Sequence, residues 1–229
     1  DKVLDIKKCW LQEAPSNDIR NWVRDYALKN SLEFFDLRDQ HGFLRNLIIR
    51  TARSGEIMSI FSFFKEDKAE RTKMLTAFQE HFPQITSLQY VINRKANDTI
   101  ADQEIICFAG RDYIIEEMKA FNNDQVLKFK IGPKSFYQTN SEQAEKLYEV
   151  AAKMANIQNN EVVYDFYTGT GTIANYIASQ AKKVIGVEYV ADAIEDAKFN
   201  AKQNEINNCS FFAGDLKDVF TDDFVAEHG

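Results

Sequence analysis

The stretch Val162-Val163-Tyr164-Asp165-Phe166-Tyr167-Thr168-Gly169-Thr170-Gly171-Thr172-Ile173-Ala174 constrains the fold of this chain more than any other. An apolar, β-rich run ends in a carboxylate, passes through Gly-x-Gly and opens a helix. The glycines let the backbone turn tightly and approach a ligand at a helix N-terminus. The same alternation continues downstream. Residues 161–166, 183–188 and 209–212 read as strands, and 172–180 and 191–204 as helices. Strands alternating with helices build a parallel, doubly wound sheet. Such sheets bind ligands beyond the carboxyl ends of their strands. Asp165, Glu188 and Asp215 all fall at those ends.

Gly169 and Gly171 suit a nucleoside cofactor, and two fit: a nicotinamide dinucleotide and S-adenosylmethionine. Glu188, ending the second strand, is placed to accept both ribose hydroxyls. Asp215, past the third strand, is placed to accept from an adenine amino group. Asp165 separates the two cofactors. A dinucleotide puts a pyrophosphate on the Gly-rich turn, where a carboxylate four residues before the first Gly is poorly placed. S-adenosylmethionine brings a sulfonium and an α-ammonium, which favour that carboxylate. The bland alternative is that Asp165 and Asp215 cap helices and Glu188 is a solvated strand end.

Upstream the pattern differs. Ser16 or Asn17 is placed to cap a helix over 18–29, with Ile19, Trp22, Val23, Tyr26 and Ala27 on one stripe. Residues 32–37, 44–53, 56–64, 88–93, 104–108 and 113–118 read as strands. Residues 66–82 read as a helix with Met74, Leu75 and Phe78 inward. Ser54-Gly55 and Gly110 mark hairpins. On the 44–53 strand, alternation puts Arg45, Leu47, Ile49, Thr51 and Arg53 on one face and Leu44, Asn46, Ile48, Arg50 and Ala52 on the other. Hairpins under two helices make an α+β domain over 1–125. The α/β, Rossmann-like domain occupies 126–229. It opens with a strand over 126–131, a Gly132-Pro133 break, and a helix over 141–155 capped by Asn140 or Ser141. Only three βα-type strands precede the end of the chain. The expectation is a C-terminally truncated Rossmann-like domain with one sheet face partly uncovered and a tendency to self-associate.

Composition narrows the class. Three well-separated cysteines, Cys9, Cys107 and Cys209, exclude a disulfide framework and suit a reducing, cytoplasmic compartment. No C-x-x-C or His/Cys cluster offers a metal site, and His41, His81 and His228 read as structural. No apolar run approaches the roughly 18 residues of a membrane span. The net charge of −7 disfavours nucleic-acid binding by the surface as a whole. The charge is uneven, however: the first hundred residues are mildly basic and the remainder strongly acidic.

Phe136-Tyr137-Gln138-Thr139-Asn140 resembles the F-x-Q-x-N signature of the RNA uracil-5 methyltransferases, which form 5-methyluridine in ribosomal and transfer RNA. It stands upstream of D-x-x-x-G-x-G, as in that family. Gly42-Phe43-Leu44-Arg45-Asn46-Leu47 with Ile49-Arg50 resembles the family's G-x-L-R-x-L…R stretch, and Asn93-Arg94-Lys95-Ala96-Asn97 continues the likeness. It covers nearly the whole chain. The resemblance implies cofactor contacts from Gln138, Tyr167, Thr172, Glu188 and Asp215, beside Asp165, Gly169 and Gly171. Thr172 stands where the family often has Asn, and Tyr167 where it often has Phe.

The family's D-P-P-R-like strand end, nucleophilic Cys and general-base Glu lie C-terminal to the third strand, so no catalytic residue is assigned in this chain. In that chemistry a thiolate adds to uracil C6, which makes C5 nucleophilic, and a base then removes the C5 proton. Cys209 opens the third strand and reads as a core thiol. Many members carry an iron–sulfur cluster on four Cys; Cys9 resembles the last of these, and the others, like an amino-terminal OB-like domain, would lie upstream. The resulting expectation is a fragment of an S-adenosylmethionine-dependent RNA (uracil-5)-methyltransferase. Its substrate is ribosomal RNA, with transfer RNA as the alternative. The fragment holds the cofactor without methylating. Two rivals stand beside it: a nicotinamide dehydrogenase, and a non-catalytic RNA-binding module. Arg45, Arg50, Arg53, Arg94 and Lys95 are the candidate RNA contacts.

Overall fold

The Ile19, Val23 and Ala27 stripe does form an inward helix face, on α1 (Ser16–Lys29). In the computed structural model, which describes residues 4–122 and 124–229, α1 belongs to the first of two compact units, Asp1–Ile114 and Ile115–Gly229. This division falls upstream of the 125/126 boundary read from the sequence. The strands of the first unit are β1 (Leu44–Thr51), β2 (Ile57–Phe63), β3 (Ser87–Ile92) and β4 (Ile106–Gly110), hydrogen-bonded in that order. Helix α2 (Lys68–His81) links β2 to β3. Asp67 caps α2 by accepting from the Glu70 N–H at 3.0 Å, which satisfies one of the orphan amides of the first turn. Ile19, Val23, Phe61, Met74, Leu75 and Phe78 form the core between helices and sheet. Phe78 meets Phe61 edge-on at 4.9 Å and Trp22 at 5.5 Å.

Several expectations change here. β2 and β3 run parallel through α2 rather than as part of a hairpin series. The hairpin expected around Gly110 does not form: β4 pairs back onto β3. Gly110, at φ +77°, lies where a Cβ would sit 2.1 Å from the Thr86 carbonyl oxygen, so only glycine fits this close approach at the end of β4. Residues 32–37 make only isolated bridges, Phe34 with Leu44 and Asp36 with His41. The Asp36 carboxylate accepts from the Arg38 and Asp39 N–H groups, and this local turn competes with a strand ladder. Neither Ser16 nor Asn17 caps α1; Pro15 holds that place. The Asn17 carboxamide instead accepts from the Cys9 N–H at 2.8 Å and donates to the Cys9 carbonyl at 3.0 Å. On β1, the register shifts between Leu44 and Asn46, a bulge at Arg45. The extra residue brings Leu44 to the same core as Leu47 and Ile49, against the simple alternation.

The second unit contains β5 (Ile114–Lys119) paired with β6 (Val126–Ile131), then α3 (Ser141–Ala155), capped by Asn140. A parallel three-stranded sheet follows: β7 (Val162–Phe166), β8 (Lys183–Glu188) and β9 (Cys209–Ala213), in the order β7-β8-β9. Helices α4 (Thr172–Ile177) and α5 (Ala191–Gln203) connect them. The chain ends in α6 (Leu216–Val219) and α7 (Asp222–His228), two helices that the periodicity does not announce. These helices pack on the sheet face expected to be partly uncovered, and Phe166 and Phe220 there remain partly exposed. Phe220 meets Tyr164 at 5.1 Å and Phe166 at 4.8 Å, and Phe224 meets Phe212 at 5.0 Å. Apolar side chains do remain exposed on α3, at Leu147, Val150 and Met154. Among the described residues no helix is long and apolar enough to cross a membrane.

The fully buried Phe78 ring joins α2 to both α1 and β2. Phe78→Ala is expected to cost about 3–5 kcal/mol, the range for emptying a buried aromatic site. Urea unfolding followed by tryptophan fluorescence checks it through Trp22; a change under about 1 kcal/mol contradicts this placement of the core.

Candidate functional site

β7 and β8 end side by side, with Asp165 opposite Gly186 and Phe166 opposite Val187. The link from β7 to α4 is tightly folded: Tyr167 and Gly171 both take left-handed backbone, at φ +60° and +74°. At Gly171 a Cβ would sit 3.0 Å from both Ala197 Cβ and the Phe211 ring, so only glycine brings the turn this close to α5 and β9. Thr172 is buried, with its Oγ1 3.3 Å from Thr170 Oγ1.

Two carboxylates hold this turn. Asp165 Oδ2 accepts from Thr168 Oγ1 at 2.6 Å and from the Ala174 N–H at 3.1 Å. The second bond caps α4 from the strand end, as the bland reading of the sequence allowed. Burial pushes the Asp165 carboxyl above its ordinary pKa, only partly offset by those two bonds. Glu188 Oε2 accepts from the Gly169 N–H at 3.2 Å, and Oε1 from the Val190 N–H at 3.0 Å. Four amides of the turn and the start of α4 are engaged. Thr168 N–H donates to the Val187 carbonyl, Gly169 N–H to Glu188, Gly171 N–H to the Thr168 carbonyl and Ala174 N–H to Asp165. No Lys or Arg occurs between residues 154 and 181.

The structure joins Asp165, Gly169, Gly171, Thr172 and Glu188 into one place. Asp215 caps α6 by accepting from the Lys217 N–H at 3.2 Å, at the carboxyl end of β9. Tyr167 is exposed, as is Tyr189 beside Glu188. Gln138 is exposed in the segment between β6 and α3. A concavity of about 280 Å³ lies elsewhere, at the amino ends of the strands, lined by Leu127, Asn175, Ala178, Ala181 and Asn208.

The cationic set in the first unit falls into two groups. Arg45, the bulge residue, donates to the carbonyls of Asn93, Lys95, Ala96 and Asn97 and lies 4.4 Å over the Phe35 ring. It organises the 93–97 loop, and its donors are engaged there. Lys95 pairs with Asp102, while Arg94 is exposed on the same loop. Arg50 stands toward the opposite end of β1, half-buried with its guanidinium pKa lowered by that burial, and Arg53 lies in the turn beyond Thr51, so the strand read over 44–53 ends short of it. Cys9 stands alone as a thiol ligand, and among the described residues no group of three or more His, Cys, Asp or Glu is placed to hold a metal. The residues present do not fit an iron–sulfur cluster.

Two residues of the site escape the sequence reading. At Gly186, on β8, a Cβ would lie 2.6 Å from Phe211 and 2.9 Å from Thr168 Cγ2. A glycine inside a strand run was the available signal. Asn200, on α5, is fully buried and donates to the Thr170 carbonyl at 3.0 Å.

Comparison with known proteins accords with this geometry. Residues 157–227 match the family model described as a methyltransferase domain. The fold resembles that of the Pyrococcus abyssi tRNA (uracil-54, C5)-methyltransferase, solved in complex with S-adenosyl-L-homocysteine. The TM-score is 0.74 at 23% identity, covering 93% of this chain and 50% of that one, a likeness of fold. The second unit thus has the Rossmann-like fold of S-adenosylmethionine-dependent methyltransferases. In sequence, the chain is 54% identical over 231 residues to a Porphyromonas gingivalis protein named as an uncharacterized RNA methyltransferase, covering 100% of this chain and 48% of that protein. A Bacteroides thetaiotaomicron protein of the same name is also 54% identical, over 232 residues, covering 100% and 50%. The chain is a homologue of bacterial proteins named RNA methyltransferases, and it spans about half the length of these relatives.

Two outcomes follow from the site. Gly186→Ala is expected to destabilise the chain by about 1–3 kcal/mol, the cost of overpacking, because both neighbours are held by the sheet and turn. Thermal unfolding checks it, and an unchanged midpoint contradicts the close packing. The Asp165 carboxyl, with its folded pKa raised, contributes stability below its ordinary value near 4 and loses it as pH rises through the raised value. Asp165→Asn should flatten that acidic-range decline in unfolding midpoints measured across pH; a parallel decline in both proteins assigns it to another group.

Proposed function

We propose that this chain is part of an S-adenosylmethionine-dependent RNA (uracil-5)-methyltransferase, with its cofactor at the β7–β8 site. One observation carries the cofactor reading: Glu188 already holds the Gly169 amide of the Gly-rich turn, and Asp165 the Ala174 amide at the start of α4. A pyrophosphate needs those amides and a positive helix end; here it would meet two carboxylates and no nearby Lys or Arg. A cationic nucleoside meets attraction instead. When bound, S-adenosylmethionine supplies an activated methyl group on its sulfonium.

The chain's own residues divide the binding work. Glu188 exchanges its bonds to the Gly169 and Val190 amides for ribose hydroxyls. Asp165 fixes the start of α4 and places negative charge beneath the turn. Gly169, Gly171 and Thr172 shape the turn's surface, with Tyr167 and Gln138 flanking it and Asp215 at the adenine end. The Cys209 thiol is pushed up to about 12, chiefly by burial and also by Asp165, and its Sγ lies 3.7 Å from the Ala174 carbonyl oxygen. Such a thiol supplies little thiolate at neutral pH, which fits the reading of Cys209 as a core thiol.

Ribosomal RNA is the preferred substrate and transfer RNA the alternative; the names of the relatives support RNA, and the cytoplasm is the expected place. Exposed Arg94 is the leading RNA-binding residue, presented on the loop that Arg45 organises.

Calorimetry with S-adenosylmethionine, S-adenosylhomocysteine and NAD tests the cofactor reading. The two adenosyl ligands should bind, NAD should not, and Glu188→Gln should weaken binding by about 1–3 kcal/mol. Tighter binding of NAD would overturn the reading. For RNA, Arg94→Glu should lower affinity and reduce the slope of log affinity against log salt by about one unit for each phosphate no longer neutralised. An unchanged slope places the RNA surface elsewhere.

A further inference from the structure

Helix α5 does more for the site than close the β8–β9 connection. Asp196, Asn200 and Asn204 recur four residues apart and face the outer edge of β6 and the segment after it. The Lys128 N–H donates to Asn204 Oδ1 at 2.7 Å, and the Lys128 carbonyl accepts from Asn204 Nδ2 at 2.8 Å and Gln203 Nε2 at 2.6 Å. Two residues on, the Lys130 N–H donates to Asn200 Oδ1 at 2.7 Å. Two further on, the Gly132 N–H donates to Ser135 Oγ at 3.0 Å, and that hydroxyl donates to Asp196 Oδ2 at 3.0 Å. The Lys130 ammonium joins Asp196 at 2.9 Å.

The spacing has a simple physical basis. Four helical residues rise about 6 Å, and two strand residues about 6.6 Å. Side chains four apart on α5 therefore keep step with alternate residues of β6, and carboxamides stand in for the peptides of a neighbouring strand. The edge is satisfied without another strand.

Asn200 differs from the other rungs. It is fully buried, and its Nδ2 donates to the Thr170 carbonyl at 3.0 Å, inside the Gly-rich turn. One carboxamide thus grips both the turn and the strand that leads into the Gln138 segment. Asn204 makes the same strand pairing, but its Nδ2 goes to the Lys128 and Asn200 carbonyls and not to the turn. We propose that Asn200 is a positioning residue of the cofactor site, which sets the Gly-rich turn and the Gln138 segment relative to each other, with the Ser135–Asp196 rung carrying that setting toward Gln138. This rests on the reading of the site as one for S-adenosylmethionine.

The difference between Asn200 and Asn204 supplies the test. Both alanine variants remove a strand rung, so a purely structural role moves them together in urea unfolding and in binding. The measurement is calorimetric binding of S-adenosylhomocysteine to the 229-residue chain. Asn200→Ala, and Asn200→Asp, which keeps the acceptor for Lys130 but removes the donor to Thr170, should bind about tenfold more weakly or worse. Asn204→Ala should bind within about twofold of the unaltered chain despite a similar drop in stability. Ser135→Ala, at a half-buried rung, should weaken binding severalfold and blunt the further effect of Gln138→Ala. Equal weakening in the Asn200 and Asn204 variants overturns the inference while leaving the cofactor reading intact. If neither Asn200 variant folds, Ser135→Ala decides, and unchanged affinity there overturns the inference. If the unaltered chain does not bind S-adenosylhomocysteine, the cofactor reading fails and this inference with it.

Discussion

Between the end of β7 and the start of α4 the chain must reverse and still anchor the first turn of a helix. It does this with one carboxylate. Asp165 Oδ2 takes the Ala174 N–H and the Thr168 hydroxyl together, which fixes the turn at both ends. Everything else at the site is arranged on that turn. Glu188 reaches it from β8 through the Gly169 amide, Phe211 packs against it from β9, and Asn200 holds it from α5. The burial that raises the Asp165 pKa comes from this crowding, so the electrostatics and the packing of the site have one cause.

In the first unit too, one polar side chain organises a loop. Arg45 is displaced from regular alternation by the bulge, and its guanidinium is surrounded by the carbonyls of residues 93, 95, 96 and 97. Counted in the sequence, it is one more cation for a nucleic acid. In the structure it supports the loop on which Arg94 is exposed.

How much of this is legible in the sequence follows from which signals are local. The β7–Gly–α4 turn, the parallel run of β7, β8 and β9 and the inward faces of α1 and α2 rest on periodicity and glycine placement, and they stand as read. Residues 32–37 mislead because an apolar run outweighs Asp36, whose side chain folds the chain on itself. Gly110 misleads because a turn glycine says that the chain bends but not which strand it pairs with. The bulge at Arg45 leaves no mark in the sequence, since any residue serves there. Asn200 and Asn204 look like a solvated helix face, because their partner is a strand edge some 70 residues earlier. The last two helices escape notice because α6 is a single turn and α7 has seven residues, with Phe220 and Phe224 as their main anchors.

The engagement of the Gly169 amide by Glu188 has a consequence for selectivity in a crowded cell. Nucleoside triphosphates and dinucleotides share the adenosine group that such a site would grip. A pocket that offered bare amides would be occupied by them much of the time. If the site takes S-adenosylmethionine as proposed, an anionic competitor would have to displace a carboxylate and then sit beside another, whereas a cationic adenosine derivative would displace only the bonds that its ribose replaces. On the proposed cofactor reading, discrimination would come from what the site refuses.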